Sequence, residues 1–553
     1  MSKLEGQITG LKANQLHRLR RFYRRRVPPA LLISPELARD ISMLSSEIGR
    51  QVGLLLDRSG SVSSVVIGNN RGLFLPVMGR QRGGLTRLKG LRLVHTHLAG
   101  ERLTQDDFND LAALRLDMIA AIQVNSEGLP EKIEAAHLLP VNDGGQTVAR
   151  LSAANVTSLN LDFTALIQAL EDELAMTQAA AQVTGLKDRA ILASVTPANR
   201  AEAEDSLVEL EELARTAGLE VLDKIILRQR KGKSSHLLGR DRLSELTIRA
   251  FQLGADIFVF EQDLSPVEIN RLTDLVELRI IDRTQLILDI FAQRARTREG
   301  KIQVEMAQLK YMLPRLIKKN TAMSRLTGGI GGRGPGETKL EINRRRVRER
   351  ISRLKKELDQ IKAQRGRHRA RRAREGLPVV SIIGYTNAGK STLLNNLTNS
   401  NVLAENRLFA TLDPTSRRLK FPRDRAILIT DTVGFIRNLP PDLIEAFAAT
   451  LEELSSADLL LHVIDVSNPQ FSEQIQAVEE ILGKLDLSHI PILPVLNKAD
   501  LADPEAIPGL VKLYDALALS AIDPDTFPPL IEELQRRLHW AESVTPKAKG
   551  YSF

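Results

Sequence analysis

The apolar positions along the chain change period several times, and each change marks a new segment. From about residue 30 to 180, short apolar runs alternate with polar-faced stretches, a pattern of mixed α/β structure. Strands are expected at Val52–Leu56, Ser63–Ile67 and Leu91–His97, then a helix from Thr104 to Ile122 and a polar connector helix at Asp162–Ala179. From Arg189 the pattern becomes regular β/α alternation. Strands fall at Ile191–Val195, Leu219–Leu227, Asp256–Phe260 and Leu278–Ile281, with helices at Arg200–Thr216, Arg240–Gln252 and Ser265–Leu275. That order predicts a small α/β domain with a parallel or mixed sheet.

After Asp282 the spacing becomes helical. Ile302, Met306, Leu309, Leu313 and Leu316 step 4-3-4-3, and Val347, Ile351, Leu354, Leu358 and Ile361 repeat those steps. Both sets are coiled-coil seams. Between them Thr327-Gly328-Gly329-Ile330-Gly331-Gly332-Arg333-Gly334-Pro335-Gly336-Glu337 places six glycines in nine residues, which neither helix can absorb. The expectation is an antiparallel helical hairpin with a thin glycine-rich tip over 327–337, flanked by Lys318, Lys319, Arg325 and Arg333. Such a tip suits a narrow RNA cavity, and Arg325 and Arg333 are the candidate phosphate contacts.

Charge sharpens this picture. The chain carries +9, yet residues 343–374 alone hold 15 Lys/Arg against 3 Asp/Glu. Lys12 to Arg26 adds 7 basic residues and no acid, within a segment 1–29 expected to be a basic amphipathic arm that Pro28 and Pro29 end. Two basic stretches on an otherwise acidic protein point to a polyanion, RNA before membrane. At 553 residues several domains are required. No membrane-length apolar run or signal-peptide pattern is visible, and the absence of Cys excludes disulfides and thiolate metal sites. A cytoplasmic monomer without stable membrane insertion is expected, with partial membrane association as the alternative.

The chemistry concentrates after residue 377. The apolar run Val379–Ile383 leads into Gly384-Tyr385-Thr386-Asn387-Ala388-Gly389-Lys390-Ser391 and then a helix start. Strand, glycine-rich turn and helix together make a phosphate-binding loop whose backbone N–H groups face one hollow at the positive end of a helix. Lys390 reaches the β- and γ-phosphates, and Ser391 holds Mg²⁺. Downstream, Asp431-Thr432-Val433-Gly434 closes a strand: Asp431 holds Mg²⁺ through water, and the Gly434 amide senses the γ-phosphate. Asn497-Lys498-Ala499-Asp500 follows another strand, where a carboxylate accepts two hydrogen bonds that guanine offers and adenine does not. Ser520-Ala521 stands where a loop backing the base belongs. Phe409-Ala410-Thr411-Leu412-Asp413-Pro414-Thr415 occupies the first-switch position, with Thr411 as the second Mg²⁺ hydroxyl and Thr415 in reserve. Lys390, Thr411 and Gly434 are the candidate catalytic residues. Phe435 stands where many GTPases place a water-orienting Gln, so hydrolysis should be slow without a partner or a monovalent cation.

An N-terminal pattern is also notable. Glu47, His95-Thr96-His97 and Thr104-x-x-Asp107 resemble the JAMM-type (MPN) zinc hydrolase arrangement, with Leu98 for Pro, Thr104 for Ser and a gap one residue short. A degenerate, metal-free version of that fold, with Thr104 as a helix N-cap, is the expectation, and zinc on His95, His97 and Asp107 is the alternative.

Over about 189–541 the chain resembles the HflX-type GTPases of the Obg–HflX group. The motifs are Ile281-Asp282-Arg283-Thr284, Asp289-Ile290-Phe291-Ala292-Gln293-Arg294-Ala295, Gly334-Pro335-Gly336-Glu337-Thr338-Lys339, Gly384–Ser391, Phe409–Pro414 and Asp431–Gly434. The resemblance implies binding to the large ribosomal subunit and its rRNA, splitting of stalled or idle ribosomes with the hairpin tip near the peptidyl-transferase centre, Mg²⁺, and K⁺ activation through Asn387. The alternative is an RNA-remodelling or ribosome-assembly factor with additional ATP use, although no second phosphate loop precedes residue 384. On this resemblance, residues 1–185 are expected to be largely an addition to the family core, and the further C-terminal domain of many relatives is expected to be missing. The expected organisation is a multidomain α/β chain: arm 1–29, mixed α/β extension with connector 30–187, α/β subdomain 188–284, hairpin 285–376, P-loop GTPase domain 377–541 and tail 542–553.

Overall fold

The computed structural model describes residues 4–75, 88–140, 142, 146–159, 161–181, 188–196, 200–228, 238–276, 278–316, 339–374, 377–398, 408–409, 415–421, 426–432, 434–437, 443 and 454–538. The chain divides into two compact units, Met1–Arg283 and Thr284–Phe553.

The first unit holds two sheets. The larger has seven strands: β1 (Leu4–Gly6), β2 (Val52–Asp57), β3 (Val62–Ile67), β4 (Leu91–His97), β5 (Met118–Val124), β6 (Pro130–Leu138) and β7 (Val148–Ala153), ordered β1-β3-β2-β4-β5-β6-β7. β4 is central, antiparallel to β2 and parallel to β5, so His95 lies between Gly53 and Ala121. The helix expected from Thr104 to Ile122 stops at Leu114, and Met118 begins a strand. Arg115 turns left-handed at φ 47° and ends the helix. Met118-Ile119-Ala120-Ala121-Ile122 is buried on both faces, which removes the alternation that would have marked it as a strand.

Residues 4–29 are not a separate arm. β1 pairs parallel with β3, the helix Ala13–Arg21 follows, and Leu19 and Phe22 are buried in the same core as the sheet. Two of the basic residues there are already paired, Arg18 with Glu47 and Arg25 with Asp40. The former contact also explains Glu47: it is exposed and bound to Arg18 and Gln15, away from the histidine strand. The connector helix runs Phe163–Ala181 and packs Phe163, Ile167, Leu170 and Leu174 into the core, with Phe163 beneath the buried Arg92 guanidinium at 4.3 Å.

The second sheet comprises β8 (Arg189–Thr196), β9 (Glu220–Arg228), β10 (Ile257–Phe260) and β11 (Arg279–Asp282), ordered β11-β10-β8-β9 and parallel throughout. Its helices Arg200–Thr216, Arg240–Leu253 and Pro266–Leu275 lie where the β/α alternation predicts them. Ser265 caps the last with a reciprocal bond to Glu268.

In the second unit, the helices Arg298–Met312 and Lys339–Arg374 pack through the predicted seam. Ile302, Met306, Leu354 and Leu358 are buried together, with Leu309, Ile351 and Ile361 against them. Arg298 pairs with Glu357 at 3.3 Å and Arg350 with Glu305 at 2.7 Å. Seven residues forward on one helix match seven back on the other, which fixes an antiparallel register one heptad long. The first seam is shorter than expected: Pro314 has no N–H to continue the helix, so Leu313 and Leu316 lie beyond its end. The glycine tip 327–337, with Arg325 and Arg333, lies outside the described residues.

The remaining sheet contains β12 (Val379–Ile383), β13 (Thr415–Lys420), β14 (Ala426–Asp431), β15 (Leu459–Asp465), β16 (Ile492–Asn497) and β17 (Leu517–Ala518), ordered β13-β14-β12-β15-β16-β17. Only β13 is antiparallel to its neighbour. The parallel strands therefore deliver their carboxyl ends to one edge, on either side of β12, where open α/β sheets bind ligands. Among the described residues, no helix is long and apolar enough to cross a membrane.

Leu354→Ala removes a side chain only 1% exposed at the centre of the hairpin seam. We expect a cost of about 2–5 kcal/mol, seen as faster amide exchange over Ile351–Leu358. Unchanged exchange there would dissolve the seam.

Candidate nucleotide site

Gly384 leaves β12 at φ 145°, and a Cβ there would sit 2.2 Å from the Val463 carbonyl oxygen. Gly389 adopts φ 91°, where a Cβ would meet the Asn497 side chain at 2.2 Å. Both positions therefore need glycine. Asn387 between them is left-handed at φ 64°. The loop ends in the helix Lys390–Thr398.

Loop and neighbouring strand end are stitched together. The Thr386 N–H donates to the Phe435 carbonyl at 2.8 Å, and the Phe435 N–H donates to the Gly384 carbonyl at 3.1 Å. The Arg437 N–H donates to the Tyr385 hydroxyl at 2.8 Å, and the Thr432 hydroxyl to the Ile382 carbonyl at 2.6 Å. Gly434 sits under this seam: a Cβ there would approach Thr386 Cγ2 at 2.7 Å and Lys390 Nζ at 3.0 Å. The Phe435 ring is buried. It carries no group that orients water.

Lys390 is enclosed, and its Nζ donates to the carbonyls of Gly384 at 3.1 Å and Tyr385 at 2.6 Å. Burial lowers its pKa to about 8, while Asp431 pulls the other way. Burial and the neighbouring Lys390 together lower His462 on β15 to about 4, so that imidazole is neutral. The Ser391 hydroxyl donates to Asp431 Oδ2 at 2.6 Å. A hydroxyl and a carboxylate thus converge beside the phosphate loop, the oxygen donor set that suits Mg²⁺.

The opposite wall is built by Asn497. Its Nδ2 donates to the Ala388 carbonyl at 2.7 Å, and its Oδ1 accepts from the Ala521 N–H at 2.8 Å. Asn396 donates to the Ala521 carbonyl at 2.7 Å. Lys498, at φ 60°, turns its ammonium onto Asp465 at 2.6 Å. Ala499 N–H holds the Leu519 carbonyl at 3.2 Å, Ser520 N–H holds the Thr526 hydroxyl at 3.1 Å, and Asp500 is left exposed. These segments, 137 residues apart from Gly384 to Ala521, meet at one sheet edge.

The switch is only partly described. Phe409 is left-handed at φ 54°, buried, and packs edge-on to Phe291 with centroids 4.7 Å apart. Ala410, Thr411, Leu412, Asp413 and Val433 lie outside the described residues, while Thr415 begins β13 opposite Asp431. Motif reading missed Asp465, Asn396 and His462. Asp465 was legible as the acidic end of the apolar run Leu459–Ile464, whereas the other two emerge only from packing.

Two consequences follow from this geometry. Only the ammonium form of Lys390 attracts phosphate. Because its pKa is lowered, affinity for GTP should be full below about pH 8 and fall as pH rises through it, with a proton taken up on binding above that value. Calorimetry at pH 9 in two buffers of different ionisation enthalpy checks this; zero uptake with affinity unchanged from pH 7 would refute it. Asn497→Ala should strand the Ala388 carbonyl and the Ala521 N–H, costing about 1–3 kcal/mol, or roughly 5- to 150-fold if carried wholly into GTP affinity, by equilibrium titration.

Comparison with known proteins assigns three segments of the chain to GTPase families. Residues 204–292 match the family described as GTP-binding GTPase N-terminal, 294–372 the GTP-binding GTPase Middle Region, and 379–498 the 50S ribosome-binding GTPase family. The GTPase HflX of Caldanaerobacter subterraneus subsp. tengcongensis is 50% identical over 318 residues, covering 57% of this chain and 74% of that protein. The GTPase HflX of Escherichia coli strain K12 is 45% identical over 316 residues, covering 57% and 74%. The chain is therefore a GTPase of the HflX family, carrying an additional N-terminal α/β region ahead of the shared core.

Proposed function

We propose that this GTPase binds the large ribosomal subunit and dissociates stalled or idle ribosomes, with the helical hairpin as the probe and GTP as its gate. The observation that carries the gating is the edge-on packing of Phe409 on Phe291. Phe409 opens the first switch, and Phe291 lies on the helix just before Arg298–Met312, the first arm of the hairpin. Engagement of residues 410–414 by a γ-phosphate would pull on Phe409 and hence on the hairpin root. Thr411 supplies a hydroxyl to Mg²⁺ alongside Ser391, with Asp431 behind water. Lys390 neutralises the β- and γ-phosphates, the Gly434 amide reports the third phosphate, and Asp500 reads the guanine edge. Asn387 is the proposed K⁺ ligand. The hairpin segment 285–376 brings its basic second helix to rRNA, Arg325 and Arg333 meet phosphates at the tip, and the domain boundaries at 188, 285 and 377 separate probe from switch.

With Phe435 buried and unable to orient water, turnover should be slow in isolation and rise many-fold with large subunits; equal turnover with and without them would defeat the proposal. Phe291→Ala should keep GTP affinity within about twofold but erase the difference between GTP-analogue and GDP states in co-sedimentation with the subunit. Retention of that difference would break the proposed link. Because charge drives the RNA contact, binding should also weaken steeply across a salt series.

A further inference from the structure

Within the N-terminal unit, three ligating side chains converge that the nucleotide site does not use. His95 and His97 stand two apart on the central strand β4 and so project to one face, while Thr96 points away to bond Ser45 at 2.6 Å and the Val52 N–H at 3.0 Å. Asp107 comes from the first turn of the helix Gln105–Leu114, held by the Thr104 N–H and hydroxyl, both at 2.7 Å. His95 Nε2 lies 3.0 Å from His97 Nε2 and 3.0 Å from Asp107 Oδ1, and His97 Nε2 lies 3.6 Å from Asp107 Oδ2. A tetrahedral site with Zn–N and Zn–O bonds near 2.05 Å has ligand atoms about 3.3 Å apart. The two distances from His95 are slightly shorter than that value, the 3.6 Å from His97 is to the other carboxylate oxygen, and with one ligand atom per residue all three lie within 4.8 Å of one another.

Protein hydrogen bonding alone serves this cluster poorly. His97 Nδ1 faces the Glu101 carbonyl at 3.0 Å, so its proton sits there and Nε2 presents a lone pair. His95 Nε2 then faces two acceptors, that lone pair and the Asp107 carboxylate, with one proton at most for both. His95 Nδ1 is buried without a hydrogen-bond partner among the described residues and does not distinguish the tautomers, so the conflict lies at Nε2. A cation at the centre of the three satisfies both lone pairs and the carboxylate together. His97 and Asp107 line a cavity of about 370 Å³ with Gln51, Asn69, Arg71 and Asn109, so the fourth position faces space rather than protein.

We propose that His95, His97 and Asp107 bind one Zn²⁺, with an exchangeable water as fourth ligand facing this cavity. Two imidazoles and one carboxylate leaving a fourth site open is a donor set that zinc favours.

The test loads the full chain with Zn²⁺, desalts it and counts metal by mass spectrometry, beside Asp107→Asn and His97→Gln. One zinc per wild-type chain is expected, with affinity at least tenfold weaker in both variants. Co²⁺ should give the strong visible bands of four-coordinate geometry in the wild type, and azide should shift them through the open position. A Zn²⁺-dependent rise in the wild-type unfolding temperature keeps the test valid should either variant fold poorly. Wild-type protein that retains no zinc and shows no thermal shift, or variants that bind zinc as tightly, would overturn the assignment. Bands indifferent to azide would overturn the open fourth position.

Discussion

The nucleotide site depends on one side chain making two hydrogen bonds. Asn497 spans from the Ala388 carbonyl in the phosphate loop to the Ala521 N–H in the loop after β17, so phosphate and base pockets are held at a fixed separation. It fits because Gly389 has no Cβ: a methyl group there would occupy the space of the Asn497 amide. Glycine and asparagine are thus a matched pair, distant in sequence and mutually required. A buried amide whose partners are both supplied is also a stiff spacer, since leaving either partner unmade is expensive.

From that fixed wall, the variable parts of the site lie on the other side of β12. The carbonyl and amide of Phe435 zip the Asp431–Gly434 strand end to the phosphate loop, and Gly434 admits nothing larger than hydrogen beside Lys390. In the proposed reading, a third phosphate registers at the Gly434 amide and recruits the residues after Phe409. The same unit carries the seam of Ile302, Met306, Leu354 and Leu358, whose flanking ion pairs are half-exposed and set register more than stability.

Much of this was legible in the sequence because local chemistry dictated it. Gly384 and Gly389 announce the tight loop, the 4-3-4-3 spacing announces the seam, and β/α alternation announces the four-stranded sheet. The failures were equally physical. Met118–Ile122 is apolar on both faces because it is central, so it looked like the end of a helix. Leu19 and Phe22 looked like the apolar stripe of a free basic arm, whereas β1 pairs with β3 and draws them into the core. Glu47 had the right residue type for a metal site, but Arg18 and Gln15 hold it on the surface. The spacing of His95-Thr96-His97 and Thr104-x-x-Asp107 had already singled out these three residues, and strand pairing and a helix cap are what bring their ligand atoms together.

The helix Lys339–Arg374 has 36 residues and ends only five positions before β12 begins. At 1.5 Å per residue it is a rod of about 54 Å, with one end by the strand that feeds the phosphate loop and the other at the start of the glycine tip. Geometry then multiplies small displacements: tilting such a rod by about 5° sweeps its remote end through roughly 5 Å. Under the proposed gating, an adjustment too small to disturb the packed core would be converted into travel comparable to the spacing between neighbouring nucleotides.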